Sequence, residues 1–390
     1  MKTIVVCDFF SHANMHLPFN EGFIRVVATN YPMHKILFAA NGEHIENLKG
    51  RLTDIDNVSF HSILQMKYLT KGSLHNPIFG TLAARKAIKT CERLAKDHVV
   101  ESYCFLGFNS FLLLNLMKLY KHEVEIDINL ILHNDLSANF DWRSKNPFVK
   151  AFDLRTSLTL NMPNNLNIVV LELGIRESLL EIYPNLKKNI RLLEHPILAS
   201  DCNAGKPFDQ ANIKIGFVGH CSKNKGFNTF LDIAKRYQSN VVTFYAIGQK
   251  ESGSSDDNFD ALERAPSLSS VPRDEYVKLV ADMDIICLPV STGYNFVASG
   301  SVLDAISNAK PVFILNNNSY RAMQDKYGEI GILFDNKENM LETFSSAIAK
   351  VSSNMALWQK NIQNIKLART AENIEFSLKS RYRSEKANSL

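Results

Sequence analysis

The chain has 390 residues, 45% hydrophobic and 22% charged, an ordinary globular composition with length enough for two cores. A net charge of +4 is too small to argue for a nucleic-acid partner. The most apolar stretch, 105–117, carries Asn109, Ser110 and Asn115 and is too short to span a bilayer.

Asp8 interrupts the first apolar run, so no signal peptide is expected. The six cysteines, Cys7, Cys91, Cys104, Cys202, Cys221 and Cys287, show no CxxC spacing. They read as reduced and mostly buried, which suits a cytoplasmic protein.

Apolar runs predict strands at 3–7, 35–39, 58–62, 102–106, 128–132 and 168–171. Helical segments are expected between them at 21–30, 43–49, 79–96, 110–120, 147–158 and 175–182. Alternation of this kind implies a parallel sheet covered on both faces. Periodicity is lost over 192–212, LLEHPILASDCNAGKPFDQAN, where a linker is expected. A second alternation follows, with strands at 213–218, 241–247, 285–288, 312–315 and 330–334. Its helices are expected at 227–237, 274–281 and from 337 onward, with a polar loop over 248–260. The expected division is an N-terminal domain over 1–195, a linker over 196–212 and a C-terminal domain over 213–354. A helical segment over 355–390, most helical in 355–383, would cross back to the first domain. The fold class is α/β: two Rossmann-like, doubly wound domains facing across a cleft.

Two loops carry the chemistry. In 289–311, PVSTGYNFVASGSVLDAISNAKP, a strand runs into a loop with Gly293 and Gly300, then into a helix starting near Ser299. Free N–H groups at such a helix start, with the helix dipole, form an anion site without a cationic side chain. Ser299 or Ser301 can cap or donate, and Asp304 stands where vicinal hydroxyls of a ribose could be held. A solvated aspartate on an ordinary βα turn is the competing reading. The second loop, GFVGHCSKNKG at 216–226, places Gly219 after a strand and Lys225-Gly226 at a helix start, where an ammonium can reach a diphosphate. A surface lysine beside a turn glycine is the plain alternative.

The segment GFVGHCSKNKGFNTFLDIAKRY resembles the start of the C-terminal domain in GT-B glycosyltransferases, especially retaining family 4. Ala281-Asp282-Met283-Asp284-Ile285, Pro289, the Gly-aromatic loop, Leu303-Asp304-Ala305 and Lys310-Pro311-Val312 are similar to that family in order and separation. The resemblance implies that Lys225 binds the donor diphosphate, beside Gly219 and His220, and that Ser299, Gly300 and Ser301 donate to it. Asp304 would hold the ribose hydroxyls, where the family has its second glutamate. Three departures stand out. His220 replaces the usual arginine, the first glutamate would fall at Phe296, and Asp304 is one methylene shorter than glutamate. Such departures fit a divergent subfamily or an unusual donor.

In the first domain, His133 ends a strand and resembles a histidine that contacts the donor sugar in retaining GT-B enzymes. A structural hydrogen-bonding role is the other reading. Asp8, His12 and His16 could bind the acceptor or, in an inverting enzyme, supply the base. No metal-ligand spacing is present, and Asp282 and Asp284 straddle a helix end and a strand start as structural residues. Neither metal nor cofactor is expected, the nucleotide sugar being a substrate. Helix 79–96 carries Arg85, Lys86, Lys89, Arg93 and Lys96 on one side, opposite Ala84, Ala87, Cys91 and Leu94 with Ile88 at the edge. That pattern suits either a solvated face or peripheral contact with an anionic membrane.

The expected function is transfer of a sugar from a nucleotide sugar to a glycan or lipid-linked acceptor, with retention, in surface polysaccharide synthesis. The rivals are a nucleotide-sugar epimerase or hydrolase on the same fold, and a non-catalytic nucleotide-sugar-binding partner.

Overall fold

The computed structural model describes residues 1–66, 76–122, 125–133, 144–198, 208–251, 258–290 and 296–379. The centre of the expected linker, Cys202, Gly293 and residues 252–257 of the loop at 248–260 lie outside the described residues. The chain packs as two compact units. The first comprises 1–196, 296–298 and 371–390, and the second 197–295 and 299–370.

The first unit is built on strands β1 (Lys2–Cys7), β2 (Lys35–Ala40), β3 (Val58–Ser62), β4 (Val99–Phe105), β5 (Asp127–Leu132), β6 (Leu166–Val170) and β7 (Ile190–Leu192). They form a sheet in the order β3-β2-β1-β4-β5-β6-β7, with every pair parallel. Its helices are α1 (Leu17–Asn30), α2 (Gly42–Lys49), α3 (Asn76–Leu94), α4 (Ser110–Leu119), α5 (Pro147–Lys150), α6 (Leu154–Leu158) and α7 (Leu173–Ile182). Every residue of β5 and β6 is buried, as strands covered on both faces must be.

The second unit holds β8 (Ile213–Val218), β9 (Val242–Ile247), β10 (Ile285–Leu288), β11 (Val312–Leu315) and β12 (Gly331–Phe334) in the parallel order β12-β11-β10-β8-β9. Its helices are α8 (Phe227–Tyr237), α9 (Arg273–Ala281), α10 (Gly300–Ser307), α11 (Asn318–Tyr327), α12 (Lys337–Ala349) and α13 (Val351–Ala368). The two-residue period of a strand divides its core. Ile285 and Cys287 of β10 pack with Phe217, Phe230 and Phe344, while Ile286 and Leu288 pack with Val302, Ile306 and Ile314 on the other face.

Both strand orders contain a reversal. In the first sheet it falls between β1 and β4, in the second between β8 and β10. Ligands of doubly wound sheets bind at the strand C-termini beside such a reversal. The loop after β1 and the loops after β8 and β10 are therefore the ones to inspect, and they carry most of the candidate residues.

Four local expectations are corrected. The helix expected over 147–158 is two short helices, because Asp153 takes an extended conformation and caps the second through its Oδ1 and the Thr156 N–H (2.7 Å). Strand β7 and helix α11 were not expected at all. The helix expected over 355–383 is α13, beginning at Val351 and ending at Ala368. Its Trp358, Ile362 and Ile365 are buried in the second unit's core. After a turn at 371–373 the chain is neither helix nor strand, with Ile374, Phe376 and Leu378 buried in the first unit's core at a two-residue spacing. Asn30 clasps this strap, donating to the Ile374 carbonyl (2.9 Å) and accepting from the Phe376 N–H (3.2 Å).

Candidate functional site

In the second unit, β8 ends in a tight turn. Gly219 has φ 94°, and its N–H donates to the Ile247 carbonyl at 2.9 Å. A short 3-10 turn, Lys223–Lys225, follows, and Gly226 (φ 79°) leads into α8. A Cβ at Gly226 would lie 1.7 Å from the Pro289 carbonyl oxygen, so only glycine lets this turn sit against the end of β10. That close packing brings three candidates together. The position a Gly219 Cβ would occupy lies 3.3 Å from Lys225 Nζ and 2.7 Å from Ser301 Oγ.

Helix α10 begins at the same place. Ser299 caps it, its Oγ accepting from the Val302 N–H at 3.4 Å. The Ser301 hydroxyl donates to the Val218 carbonyl (2.9 Å), tying the helix start to the end of β8. Ser301 therefore offers an anion its backbone N–H rather than its hydroxyl proton. Among the described residues the N–H groups of Gly300 and Ser301 make no hydrogen bond. Gly300 is exposed, with no atom within 4 Å of its would-be Cβ.

Lys225 is half-buried, and its ammonium makes no hydrogen bond or ion pair among the described residues. Burial pushes its ammonium below the usual lysine range, and the Asp304 carboxylate pulls it back up. A bound anion would relieve that desolvation. His220 is exposed on the same turn and donates to none of these groups.

Asp304 is not a solvated aspartate. Its carboxylate accepts the Tyr276 hydroxyl at Oδ2 (2.8 Å) and pairs through Oδ1 with Arg273 (3.0 Å), its side chain 19% exposed. The Arg273 guanidinium also sits 5.4 Å from the Tyr276 ring centroid. Burial, then the Asp304 charge, pushes the Tyr276 phenol well above its ordinary range, so it stays a donor. Sequence reading missed Tyr276 and Arg273, whose one signal was a helix start at Pro272-Arg273 with an aromatic three residues on.

In the first unit, the loop after β1 is organised by Asp8. It is 2% exposed, and its Oδ1 accepts the Phe10 and Ser11 N–H groups (2.9 Å each) while Oδ2 accepts Asn20 Nδ2 (2.7 Å). Asn20 Nδ2 also lies 2.8 Å from His44 Nε2, and His44 Nδ1 lies 2.8 Å from the Ala13 carbonyl. The carbonyl can only accept, so Nδ1 carries the proton and Nε2 accepts from Asn20. This network makes Asp8 a residue that shapes the loop. His12 is exposed, with Nδ1 3.4 Å from Gln65 Nε2.

His16 ends the loop in a left-handed conformation (φ 56°) and stacks edge-on against His133, with centroids 4.0 Å apart. His133 also meets the rings of Phe19 (4.6 Å) and His195 (5.9 Å). It is buried, and its Nδ1 has no hydrogen-bond partner among the described residues. Burial, then His16 and His195, holds the His133 imidazole well below its usual range. His133 is accordingly a neutral ring at neutral pH, able to accept or donate a hydrogen bond but not to act as a cation. Asn134 and Asp135, which follow it, lie outside the described residues. His195, Asn20 and His44 were not singled out in the sequence.

Asp282 and Asp284 serve the second sheet. Asp282 pairs with Lys214 Nζ (2.7 Å), and Asp284 Oδ2 accepts the Lys214 N–H (2.8 Å). No group of three or more His, Cys, Asp or Glu among the described residues is placed to hold a metal ion. No described helix is long and apolar enough to cross a membrane.

Two doubly wound parallel sheets, each with candidate residues at its reversal, define the GT-B arrangement of Rossmann-like domains. Known structures share it. A glycosyltransferase from Rickettsia africae ESF-5 is 13% identical with a TM-score of 0.62, covering 100% of this chain and 98% of that one. The lipopolysaccharide outer core galactosyltransferase WaaB, in its apo form, is 12% identical with a TM-score of 0.61, covering 100% of each chain. A variant of S. aureus TarM, solved with fondaparinux, α-GlcNAc-glycerol and UDP, is 10% identical with a TM-score of 0.60, covering 95% of this chain and 98% of that one. At these identities the likeness is one of fold. No protein-family model matches the chain, and neither does any curated protein.

Proposed function

We propose that the chain is a nucleotide-sugar-dependent glycosyltransferase of the retaining, family-4-like kind. Its acceptor would be a glycan or a lipid-linked glycan, and its place surface polysaccharide synthesis. The observation that carries this reading is Lys225. A half-buried ammonium without an ion pair lies beside the Gly219 turn, next to a helix start with two unbonded N–H groups, at the reversal of the sheet. That combination fits a diphosphate. The TarM structure holds UDP, which supports the same class of ligand here.

In the reaction, the bond between the sugar's anomeric carbon and the β-phosphate oxygen breaks. A bond from that carbon to an acceptor oxygen forms, and the acceptor's proton passes to the departing diphosphate. Charge grows on the diphosphate, and Lys225 with the N-terminus of α10 would neutralise it without a metal ion. Asp304, fixed by Tyr276 and Arg273, would accept the ribose hydroxyls. His133, neutral, would hydrogen-bond the donor sugar, and His12 and His16 would meet the acceptor. No protein cofactor enters this scheme. A cytoplasmic enzyme is the corresponding location.

Incubation with a panel of nucleotide sugars, with and without glycan acceptors, tests the reading. Release of nucleoside diphosphate that depends on acceptor supports it. An isomerised or free sugar formed without acceptor would assign the chain to an epimerase or hydrolase instead.

A further inference from the structure

Helix α3 is seated on the first unit by a stripe of small and apolar residues. Ala84, Ala87, Ile88 and Cys91 follow one another at three- and four-residue helical spacing, all buried. A Cβ at Gly80 would come within 2.6 Å of the Phe111 ring, so glycine there lets α3 lie close to α4. The stripe ends in a contact between two sulfurs. Cys91 Sγ lies 3.1 Å from the Sγ of Cys7, the last residue of β1, 84 positions earlier in the chain. Both residues are 1% exposed and belong to the same core. The backbone at Cys7 is held from two sides, because β1 is an inner strand in which Cys7 stands opposite Ala39 on one side and Phe105 on the other. Cys104 is no competitor for this contact. It stands opposite Val6 in the register, so its side chain projects from the other face of the sheet, where its sulfur is 3.9 Å from the Ser102 hydroxyl. Among the described cysteines no other two sulfurs lie within hydrogen-bonding distance.

We propose that Cys7 and Cys91 form a reversible disulfide that fastens α3 to β1 when the protein meets a peroxide. The step balances with hydrogen peroxide as the oxidant. One sulfur takes an oxygen atom from the peroxide and becomes a sulfenic acid, and a water leaves. The second sulfur attacks the first, the S–S bond forms, and the sulfenic hydroxyl departs with the second thiol's proton as another water. Two thiols are oxidised and one peroxide is reduced. Sulfurs of a disulfide are about 2.05 Å apart, so the pair closes by about 1 Å from its present contact. Hydrogen peroxide is small and uncharged, and reaches the pair through local openings of the kind native chains undergo. The hydrogen bond to Cys91, then burial, holds the Cys7 thiol well above its ordinary range, so the reaction is slower than that of a free small thiol. The residue after Cys7 is Asp8, whose carboxylate holds the loop after β1, so the bond braces the root of that loop. The proposal is independent of the transferase reading, because the pairing is read without turnover.

Peroxide treatment of the full chain tests it, followed by capping of the remaining thiols with N-ethylmaleimide in denaturant and digestion without reductant. The expected product is one peptide pair joining Cys7 to Cys91, returned to free thiols by dithiothreitol. The oxidised chain should melt several degrees higher, because the bond closes a long loop of the unfolded chain. Amides of α3 should exchange more slowly in it. Cys7→Ser and Cys91→Ser should each abolish the linked pair, and Cys104→Ser should leave it in place. Recovery of Cys7 and Cys91 as capped thiols, a sulfinic acid on either of them, pairing with Cys104 or between two chains, or an oxidised chain that melts and exchanges like the reduced one would each overturn the proposal. Peptide mapping of the wild type decides the matter even if a serine variant fails to fold.

Discussion

Tyr276 donates its hydroxyl to Asp304 at 2.8 Å, joining two helices of the second unit 28 positions apart in sequence. The contact turns a short, flexible carboxylate into a fixed acceptor, with Arg273 on its other oxygen. If Asp304 holds a ribose, Asp304→Ala should weaken nucleoside diphosphate binding by roughly one to two powers of ten. It should also let the Lys225 amine fall further, since Asp304 holds that amine up. Tyr276→Phe keeps the carboxylate and Arg273, and should cost about 1 kcal/mol of stability, read as a lower melting temperature. A 2′,3′-dideoxy nucleotide should bind the wild type about as poorly as the ordinary nucleotide binds Asp304→Ala. Equal affinities throughout would remove Asp304 from the site.

The neutral His133 makes stability depend on pH. The folded chain holds its imidazole well below the ordinary value, while the unfolded chain titrates near pH 6.5. Below that pH the unfolded state binds the extra proton, so stability is full above about pH 6.5 and falls as pH drops through it. His16 is lowered by its own burial and adds in the same direction. Urea unfolding at about pH 7.5 and about pH 5.5 should show the loss, and His133→Phe should reduce it. An unchanged slope in that variant would place the pH dependence elsewhere.

Asp8 is engaged by three donors in a buried position. Asp8→Ala leaves them without a partner and should destabilise the chain by about 3 kcal/mol or more. Asp8→Asn retains one acceptor oxygen and should cost less. If both variants melt like the wild type while activity disappears, Asp8 is the base rather than the residue that shapes the loop.

Any transfer activity should survive EDTA, because Lys225 and the start of α10 supply the positive charge. Loss on chelation, restored by magnesium or manganese, would contradict that account.

Much of the fold was legible because strands buried on both faces must be apolar runs, as in Ile213–Val218 and Val312–Leu315. Strand β7 escaped notice because Ile190-Arg191-Leu192 is too short to show a period. Helix α11, NSYRAMQDKY, is too polar to show an apolar stripe, though Asn317 caps it. The segment beyond Ala368 reads as helical, yet it turns over 369–373 and then buries Ile374, Phe376 and Leu378 at a two-residue spacing. The loop glycines and Lys225 could be picked out because a turn from a strand into a helix is local in sequence. The Tyr276–Asp304 contact and the stacking of His16, His133 and His195 could not, since residues far apart meet there only once the sheets form.

The most direct test is calorimetric titration of the wild type and Lys225→Ala with the nucleoside diphosphate that most raises the melting temperature in a screen. A charge-assisted contact is worth about 1.5–3 kcal/mol, so the variant should bind roughly ten- to a hundredfold more weakly. Its turnover should fall as well, because the diphosphate gains charge as the sugar leaves. Equal affinity in the two proteins, with both folded, would contradict the assignment of this turn as the donor site.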